Sequence, residues 1–274
     1  MKRAEAVTAV TAAVCQMRSG EDVASNLIAA ENLVRDAARA GATFVSLPEC
    51  MVFLRSEGER APEAQSIAGP WAQRFADLSR ELKITLLMGS FPETAEAAGR
   101  PYNTTLLFGP TGERLGVYRK IHLFDIDLPG HEHLKESKAI TPGTELVVAD
   151  AGFAKLGLSI CYDLRFPELY RALCAQGAEV LLVPSAFTER TGRDHWEVLL
   201  RARAIENLCY VMAPAQWGKH GPNRASYGRA MIIDPWGTVL AQVPDGEGVA
   251  LAVLDFARLH RLRNELPALR ARQM

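Results

Sequence analysis

No stretch of this sequence approaches the about 18 consecutive apolar residues of a membrane-spanning helix, so none is expected. Charge of neither sign is in excess: Lys plus Arg is 31, Asp plus Glu is 32, and the net charge is -1. Such a balance gives no electrostatic reason to bind nucleic acid or an anionic membrane. Cysteine is limited to Cys15, Cys50, Cys161, Cys174 and Cys209, an odd, widely spaced set without a CxxC. A disulfide framework or zinc ribbon is therefore not expected, and reduced thiols in a cytoplasmic protein fit better. A free cysteine is by default a small buried hydrophobe. No low-complexity linker interrupts the chain, so residues 1–274 are read as one domain. Lys2 and Arg3 do precede an apolar stretch, but Thr8 and Thr11 break it, and Val7–Cys15 reads as a strand and not as a signal-peptide core.

What is present is enough apolar residue, 48%, to bury a sizeable core, in an alternating order of elements. The patterns predict helices over Asn26–Ala40, Trp71–Leu82, Pro167–Gln176 and Asp194–Leu208, the last capped by Asp194, and a basic helical tail from Ala257. They predict strands at Thr43–Leu47, Ile84–Ser90, Asn103–Phe108, Gly116–Ile121, Glu145–Val148, Leu156–Ile160, Val180–Val183, Tyr210–Ala213, Ala230–Ile233 and Val249–Leu254. One internal echo stands out. Residues 41–48, GATFVSLP, resemble residues 177–184, GAEVLLVP; each follows a helix and ends a buried strand at proline. The repetition suggests two similar sheets, each covered by helices on one face, against chance similarity, since Gly-Ala before a strand is common.

Three chemically distinct residues lie where strand patterns end: Glu49 after Pro48, Lys120 after Arg119, and Cys161 after Ile160. The carboxyl ends of strands are where α/β sheets assemble sites. A thiol with a pKa of about 8.5 needs a base to become a nucleophile. Glu49 suits that role if burial lifts its own pKa towards neutrality. Lys120, as a cation, suits stabilisation of a thiolate and of an oxyanion, with the Tyr162 backbone N–H as a second donor. Residue types and order stop there: spacing alone leaves open whether the three meet, and Glu49 and Lys120 read equally as surface residues.

The segments LPEC (47–50), YRKIHLFDIDLPG (118–130) and LSICYDLRFPELYRAL (158–173) resemble the three signature regions of the nitrilase superfamily. Segments 183–211 and 234–241 resemble its amidase branch, and within it the sequence is most similar to deaminated glutathione amidases and ω-amidases. The resemblance implies a four-layer α-β-β-α sandwich assembled as a homodimer or larger homo-oligomer. It implies catalytic roles for Glu49, Lys120 and Cys161, and a second carboxylate at Glu136 that orients substrate or assists the base. It implies hydrolysis of a linear amide, such as an α-keto acid amide, through a thioester, without metal or organic cofactor. Arg229-Ala230 departs from the His-Ser common in relatives and bears on the pocket's shape. The alternatives are an ω-amidase, a nitrilase or N-carbamoyl hydrolase with the same triad, or a non-catalytic binding protein on the same fold.

Substrates of this kind carry carboxylates, which a planar guanidinium recognises. Arg165 is the candidate, against an internal ion pair with Glu168 or Glu206. Phe187 and Thr188, beyond the strand Val180–Val183, are candidates for shaping the pocket. His131-Glu132-His133 lacks the helical HExxH context of a zinc site and reads as a loop. His195 is read as structural, at the start of its helix.

Overall fold

The computed structural model describes residues 8–54, 63–95, 99–127 and 133–273. The first half runs β1 (Ala9–Met17), α1 (Val23–Arg39), β2 (Phe44–Ser46), α2 (Pro70–Leu82), β3 (Thr85–Glu93), β4 (Tyr102–Phe108) and β5 (Arg114–Arg119). A small hairpin of β6 (Asp125–Asp127) and β7 (His133–Lys135) follows. The second half runs β8 (Val148–Asp150), β9 (Lys155–Leu158), α3 (Pro167–Ala175), β10 (Val180–Leu182), α4 (Glu189–Asn207) and β11 (Tyr210–Ala213). It ends with β12 (Ala215–Lys219), β13 (Ala225–Tyr227), β14 (Met231–Ile233), β15 (Val239–Gln242), β16 (Gly248–Asp255) and α5 (Phe256–Glu265).

Two mixed sheets result. One has the order β13-β12-β1-β2-β3-β4-β5, with β16 also pairing β1; the other has the order β15-β14-β11-β10-β9-β8. The period-2 alternation of strand side chains explains how the first sheet holds two cores. Val10, Ala12 and Val14 of β1 face the core shared with the second sheet, together with Phe44, Leu87 and Leu107. Ala13, Cys15 and Met17 face the opposite way, onto Leu27, Val34, Phe75 and Leu78 of α1 and α2. Leu169, Tyr170, Trp196 and Leu200 of α3 and α4 join the same buried cluster from the second sheet's side. The layers are thus helices, sheet, sheet, helices. Truncating a buried aromatic such as Phe44 to Ala would cost about 3–5 kcal/mol.

The internal echo is a repeated unit. Gly41 and Gly177 both take the left-handed conformation, at φ +96° and +95°, where a side chain would be strained. Each closes its helix identically: Gly41 and Ala42 donate to Ala38 and Ala37, and Gly177 and Ala178 donate to Cys174 and Leu173. Each then enters the middle strand of a parallel triplet, β1-β2-β3 or β9-β10-β11.

Two sequence expectations need correction. The long helix begins at Glu189, with Thr188 as its cap residue, and not at Asp194. Gly192 lies within the helix, where only a glycine leaves room for Tyr227; a Cβ there would lie 2.3 Å from the Tyr227 Cβ. His195 accordingly lies inside the helix. Strands β12, β13 and β15 escaped the reading because their sequences mix polar and apolar residues without clean alternation. His131 and Glu132, and the side chain of His133, lie outside what the structure describes. Among the described residues no helix is long and apolar enough to cross a membrane.

Candidate active site

β1, β2, β3 and β5 run in one direction in the first sheet, and β9, β10 and β11 run parallel in the second. Glu49 follows β2, Lys120 follows β5, Cys161 follows β9, and Ser185-Ala186 follow β10. The sheets deliver these strand ends to one place, as parallel α/β sheets do.

Each chain exit is held. Gly89 sits where the β3–β4 register shifts, with φ +79°, and a Cβ there would lie 2.3 Å from the Pro48 carbonyl oxygen. The β3 backbone can therefore lie directly beneath the residue before Glu49. Gln216 Nε2 donates to the Glu49 carbonyl at 3.0 Å. Lys120 donates its N–H to Asn103 O at 2.9 Å, extending the β4–β5 ladder by one residue. Cys161 opens a 3-10 turn, Cys161–Arg165, at φ +48° in the left-handed region. Its N–H donates to Pro184 O at 3.0 Å. A non-glycine residue at that angle is strained and has to be held by its surroundings.

The fastening is a buried carboxylate. Asp163 is fully buried and accepts from the Ile160 N–H at 2.8 Å, the Tyr118 hydroxyl at 2.7 Å and the His122 N–H at 3.0 Å. His122 Nδ1 lies 2.7 Å from it, and the His122 ring stacks on Phe166 at 3.7 Å. Arg203 adds two donors, Nε at 3.1 Å and Nη2 at 2.7 Å, to the Leu164 carbonyl of the same turn.

Glu49 is the centre of the polar cluster. Its Oε1 accepts from Lys120 Nζ at 2.9 Å and Asn103 Nδ2 at 3.0 Å. Its Oε2 accepts from the Ala186 N–H at 2.8 Å, and the Cys161 thiol donates to the same carboxylate. Lys120 Nζ also donates to Glu136 Oε2 at 2.8 Å, and Phe124 N–H donates to that oxygen at 2.7 Å. The side chains of Lys120 and Glu49 are 2% and 5% exposed and that of Glu136 18%, so these charges lie almost out of water and depend on one another.

The protonation states follow. Burial alone would raise the Glu49 carboxyl, but Lys120, the Cys161 thiol and the Ala186 N–H outweigh it and hold Glu49 below its ordinary value. This corrects the expectation that burial lifts Glu49 towards neutrality. Burial disfavours the Lys120 ammonium, but Glu136, Glu49 and Cys161 raise it well above its ordinary value. Burial and the neighbouring Glu49 charge push the Cys161 thiol up, against the pull of Lys120. The resting cluster is therefore thiol, two carboxylates and one ammonium. A free thiolate would add a third negative charge against a single lysine. Transfer of the thiol proton onto Glu49 leaves the total charge unchanged, so the geometry favours deprotonation of sulfur coupled to its attack.

The remaining expected residues fall around this centre. Tyr162 packs its ring against Phe124 and Phe166. Arg165 forms neither of the ion pairs weighed for it. Its guanidinium lies 5.8 Å from the Tyr162 ring centre and 5.2 Å from that of Phe187, with Nη1 3.2 Å from His195 Nδ1. Glu206 pairs with Arg203 and Arg171 instead. Phe187 is buried against Trp196. Thr188 lines a cavity of about 270 Å³ with Ile126, Arg190, Lys219 and Arg224, Glu189 also on its wall. Its wall residues Ile126 and Thr188 lie two positions along the chain from Phe124 and Ala186, and none of Glu49, Lys120, Glu136 or Cys161 lines it. Arg229 turns to Asp245 at 3.0 Å, and neither it nor Ala230 lines that cavity. Arg119, beside Lys120, pairs on the opposite face with Glu93 through Nε at 2.7 Å and Nη2 at 2.6 Å.

Asn103, Asp163, Tyr118 and Ala186 were missed in the sequence. For Asn103 a signal existed: it lies two and four residues before Thr105 and Leu107, and Leu107 faces the shared core, so Asn103 is a polar residue on the inward face. Among the described residues no group of three or more His, Cys, Asp or Glu is arranged to hold a metal ion.

The sequence matches the carbon-nitrogen hydrolase family over residues 11–264. It is 46% identical over 264 residues to the deaminated glutathione amidase of Synechocystis sp., spanning 95% of this chain and 97% of that protein. The crystal structure of Saccharomyces cerevisiae Nit3, a member of branch 10 of the nitrilase superfamily, has a TM-score of 0.86 at 28% identity and covers 100% of both chains. A mutant amidase from Nesterenkonia sp. AN1, with the acetamide moiety of fluoroacetamide added covalently at its active-site cysteine, has a TM-score of 0.77 at 25% identity, covering 96% of this chain and 94% of that one.

Proposed function

From the premise that the chain belongs to the carbon-nitrogen hydrolase family, we propose that it cleaves the amide of a linear α-keto acid, of the deaminated glutathione kind, with Cys161 as nucleophile. That it hydrolyses carbon–nitrogen bonds of amides comes with the family; the substrate and the residue roles are the proposal. The observation that carries it is the buried cluster in which the Cys161 thiol, Lys120 Nζ and Ala186 N–H all meet the Glu49 carboxylate.

In this reading Glu49 accepts the Cys161 proton as sulfur attacks the carbonyl carbon. Lys120 Nζ and the Tyr162 N–H receive the oxyanion. Glu49 then gives its proton to the departing nitrogen, the C–N bond breaks, and a thioester remains on Cys161. Water attacks the thioester with Glu49 as its base, the C–S bond breaks, and the proton returns to sulfur. Glu136 keeps Lys120 charged and aimed throughout.

Two features support an anionic substrate. Arg165 lies over aromatic rings and not in an ion pair with either carboxylate weighed for it, and the cavity lined by Thr188 carries Arg190 and Lys219 beside Glu189. The close similarity to the Synechocystis amidase supports the α-keto acid class. The test is a hydrolysis screen of deaminated glutathione, 2-oxoglutaramate, simple nitriles and carbamoyl amino acids, with Cys161→Ala as control. Deaminated glutathione should give the highest kcat/KM, and a preference for a nitrile or carbamoyl compound overturns the reading.

A further inference from the structure

Away from the polar cluster, two more cysteines meet. Cys174 lies in the last turn of α3, and Cys209 lies between the left-handed cap of α4, Leu208, and the start of β11. Their Sγ atoms are 3.2 Å apart, although 35 residues separate them in the chain. Cys209 is fully buried and Cys174 half-buried, so the pair is reached from one side, at Cys174. Arg263 of α5 closes the other side. Its Nη2 donates to Cys209 Sγ at 3.0 Å and to Ala178 O at 2.8 Å, while Nε donates to Leu208 O at 2.9 Å. The guanidinium favours a thiolate at a sulfur that, as a thiol, can donate to Ala178 O at 3.3 Å or Asn207 O at 3.2 Å.

We propose that Cys174 and Cys209 form a reversible dithiol–disulfide site, separate from Cys161, that is oxidised by a small hydroperoxide. By default both cysteines are small buried hydrophobes; the sulfur contact and Arg263 argue otherwise. The electrostatics agree. Burial disfavours a Cys209 thiolate, but the Cys174 S–H and Arg263 outweigh it and hold Cys209 below its ordinary value. Cys174, which donates that hydrogen bond, is held up. Cys209 is thus the readier of the two sulfurs to lose a proton. Once it has, passage of the Cys174 proton across the 3.2 Å contact puts the charge on the accessible Cys174.

The reaction balances. Cys174 thiolate attacks the peroxide, the O–O bond breaks, and Cys174 sulfenic acid and hydroxide form. Cys209 then loses its proton and attacks the Cys174 sulfur from its contact position. The S–O bond breaks, a second hydroxide leaves, and the S–S bond forms. Overall two thiols are oxidised, and hydrogen peroxide is reduced to two waters. A thiol reductant reverses it. Burial admits a small oxidant better than a large one. The bond would tie the far end of α3, whose near end carries the Cys161 turn, to the α4–β11 junction.

The remaining cysteines are internal controls. Cys15 and Cys50 are single thiols disfavoured as thiolates, Cys50 pushed up to about 12 by burial and the nearby Glu49. The experiment treats the wild-type protein and Cys161→Ala with hydrogen peroxide, blocks free thiols after denaturation, and maps the peptides by mass spectrometry. The expected result is a Cys174–Cys209 linked peptide forming about tenfold or more faster than oxidation of Cys15 or Cys50, in both proteins, and lost on reduction. A Cys174→Ser variant should give no linked peptide at Cys209. The proposal is overturned if Cys174 accumulates as sulfinic acid while Cys209 remains free, or if neither reacts faster than Cys15 and Cys50.

Discussion

The backbone N–H of Ala186 donates to Oε2 of Glu49 across 2.8 Å, joining the chain beyond β10 to the chain beyond β2. With Lys120 and Asn103 on Oε1, every side of the Glu49 carboxylate faces a donor.

A glutamine at this position has one oxygen too few. In either orientation of Glu49→Gln the new NH2 faces an N–H donor and cannot accept the Cys161 proton. Activity should fall about 10²–10⁴-fold in kcat, as for loss of a general base. Stability should fall by about 1–3 kcal/mol from the unmet buried donor. Single-turnover acylation rates and urea midpoints read the two separately, and unchanged acylation would remove Glu49 from the base role.

The direction of the Glu49 shift sets the acid limb of activity. Glu49 is held below its ordinary carboxylate value, so it stays ionised as pH falls until below the usual carboxylate range. In brief assays, kcat/KM per folded molecule should hold steady from pH 8 down to about 5. An acid limb centred above pH 6 would contradict the arrangement.

Loss of the fold should begin at a higher pH than that. His220 is buried, with Nδ1 2.8 Å from Ser19 O and Nε2 2.9 Å from Ser226 Oγ. The carbonyl can only accept, so Nδ1 carries the proton and Nε2 receives the serine hydroxyl. Burial pulls the ring down to about 4. Between pH 6.5 and 4 the unfolded chain therefore binds a proton that the folded one does not. Stability is fully present above 6.5 and falls by about 3 kcal/mol on reaching pH 4. Replacement His220→Gln should flatten that part of the urea-midpoint profile while lowering stability at pH 7.5.

Removing the Asp163 charge should loosen the nucleophile's turn without touching substrate. In Asp163→Asn one of the positions facing Ile160, Tyr118 and His122 becomes a donor meeting a donor. The expected loss is about 1–3 kcal/mol of stability together with a fall in kcat, KM changing little. A fall in KM-dependent binding alone would show that Asp163 acts elsewhere.

Arg165→Ala should raise KM for anionic amides more than for neutral ones of the same length. Equal kinetics on both classes would exclude it from carboxylate recognition.

How far the site was legible depended on the kind of interaction. Glu49, Lys120 and Cys161 announce themselves by type and by following strand patterns, and the motifs place Glu136 beside them. The Ala186 donor is a backbone group and leaves no trace in residue identity. Asp163 reads as a surface turn residue until its partners, 41 and 45 positions away, are known. The four-layer fold was legible through the motifs' resemblance to a known family, while the alternation and the internal echo suggested only two similar helix-covered sheets. The start of α4 was not legible, because Gly192 is explained only by Tyr227 from another strand.

The repeated helix–strand unit has a consequence for assembly. Its first copy ends beside Glu49, and its second supplies the Pro184 carbonyl to Cys161 and the Ala186 N–H to Glu49. Glu49 and Cys161 thus belong to different layers and are stitched together by the halves' own main chains. Each half of the chain carries only part of the polar cluster, Glu49 and Lys120 in the first and Cys161 and Ala186 in the second. The cluster is complete only where the two sheets meet, so amidase activity reports their closure.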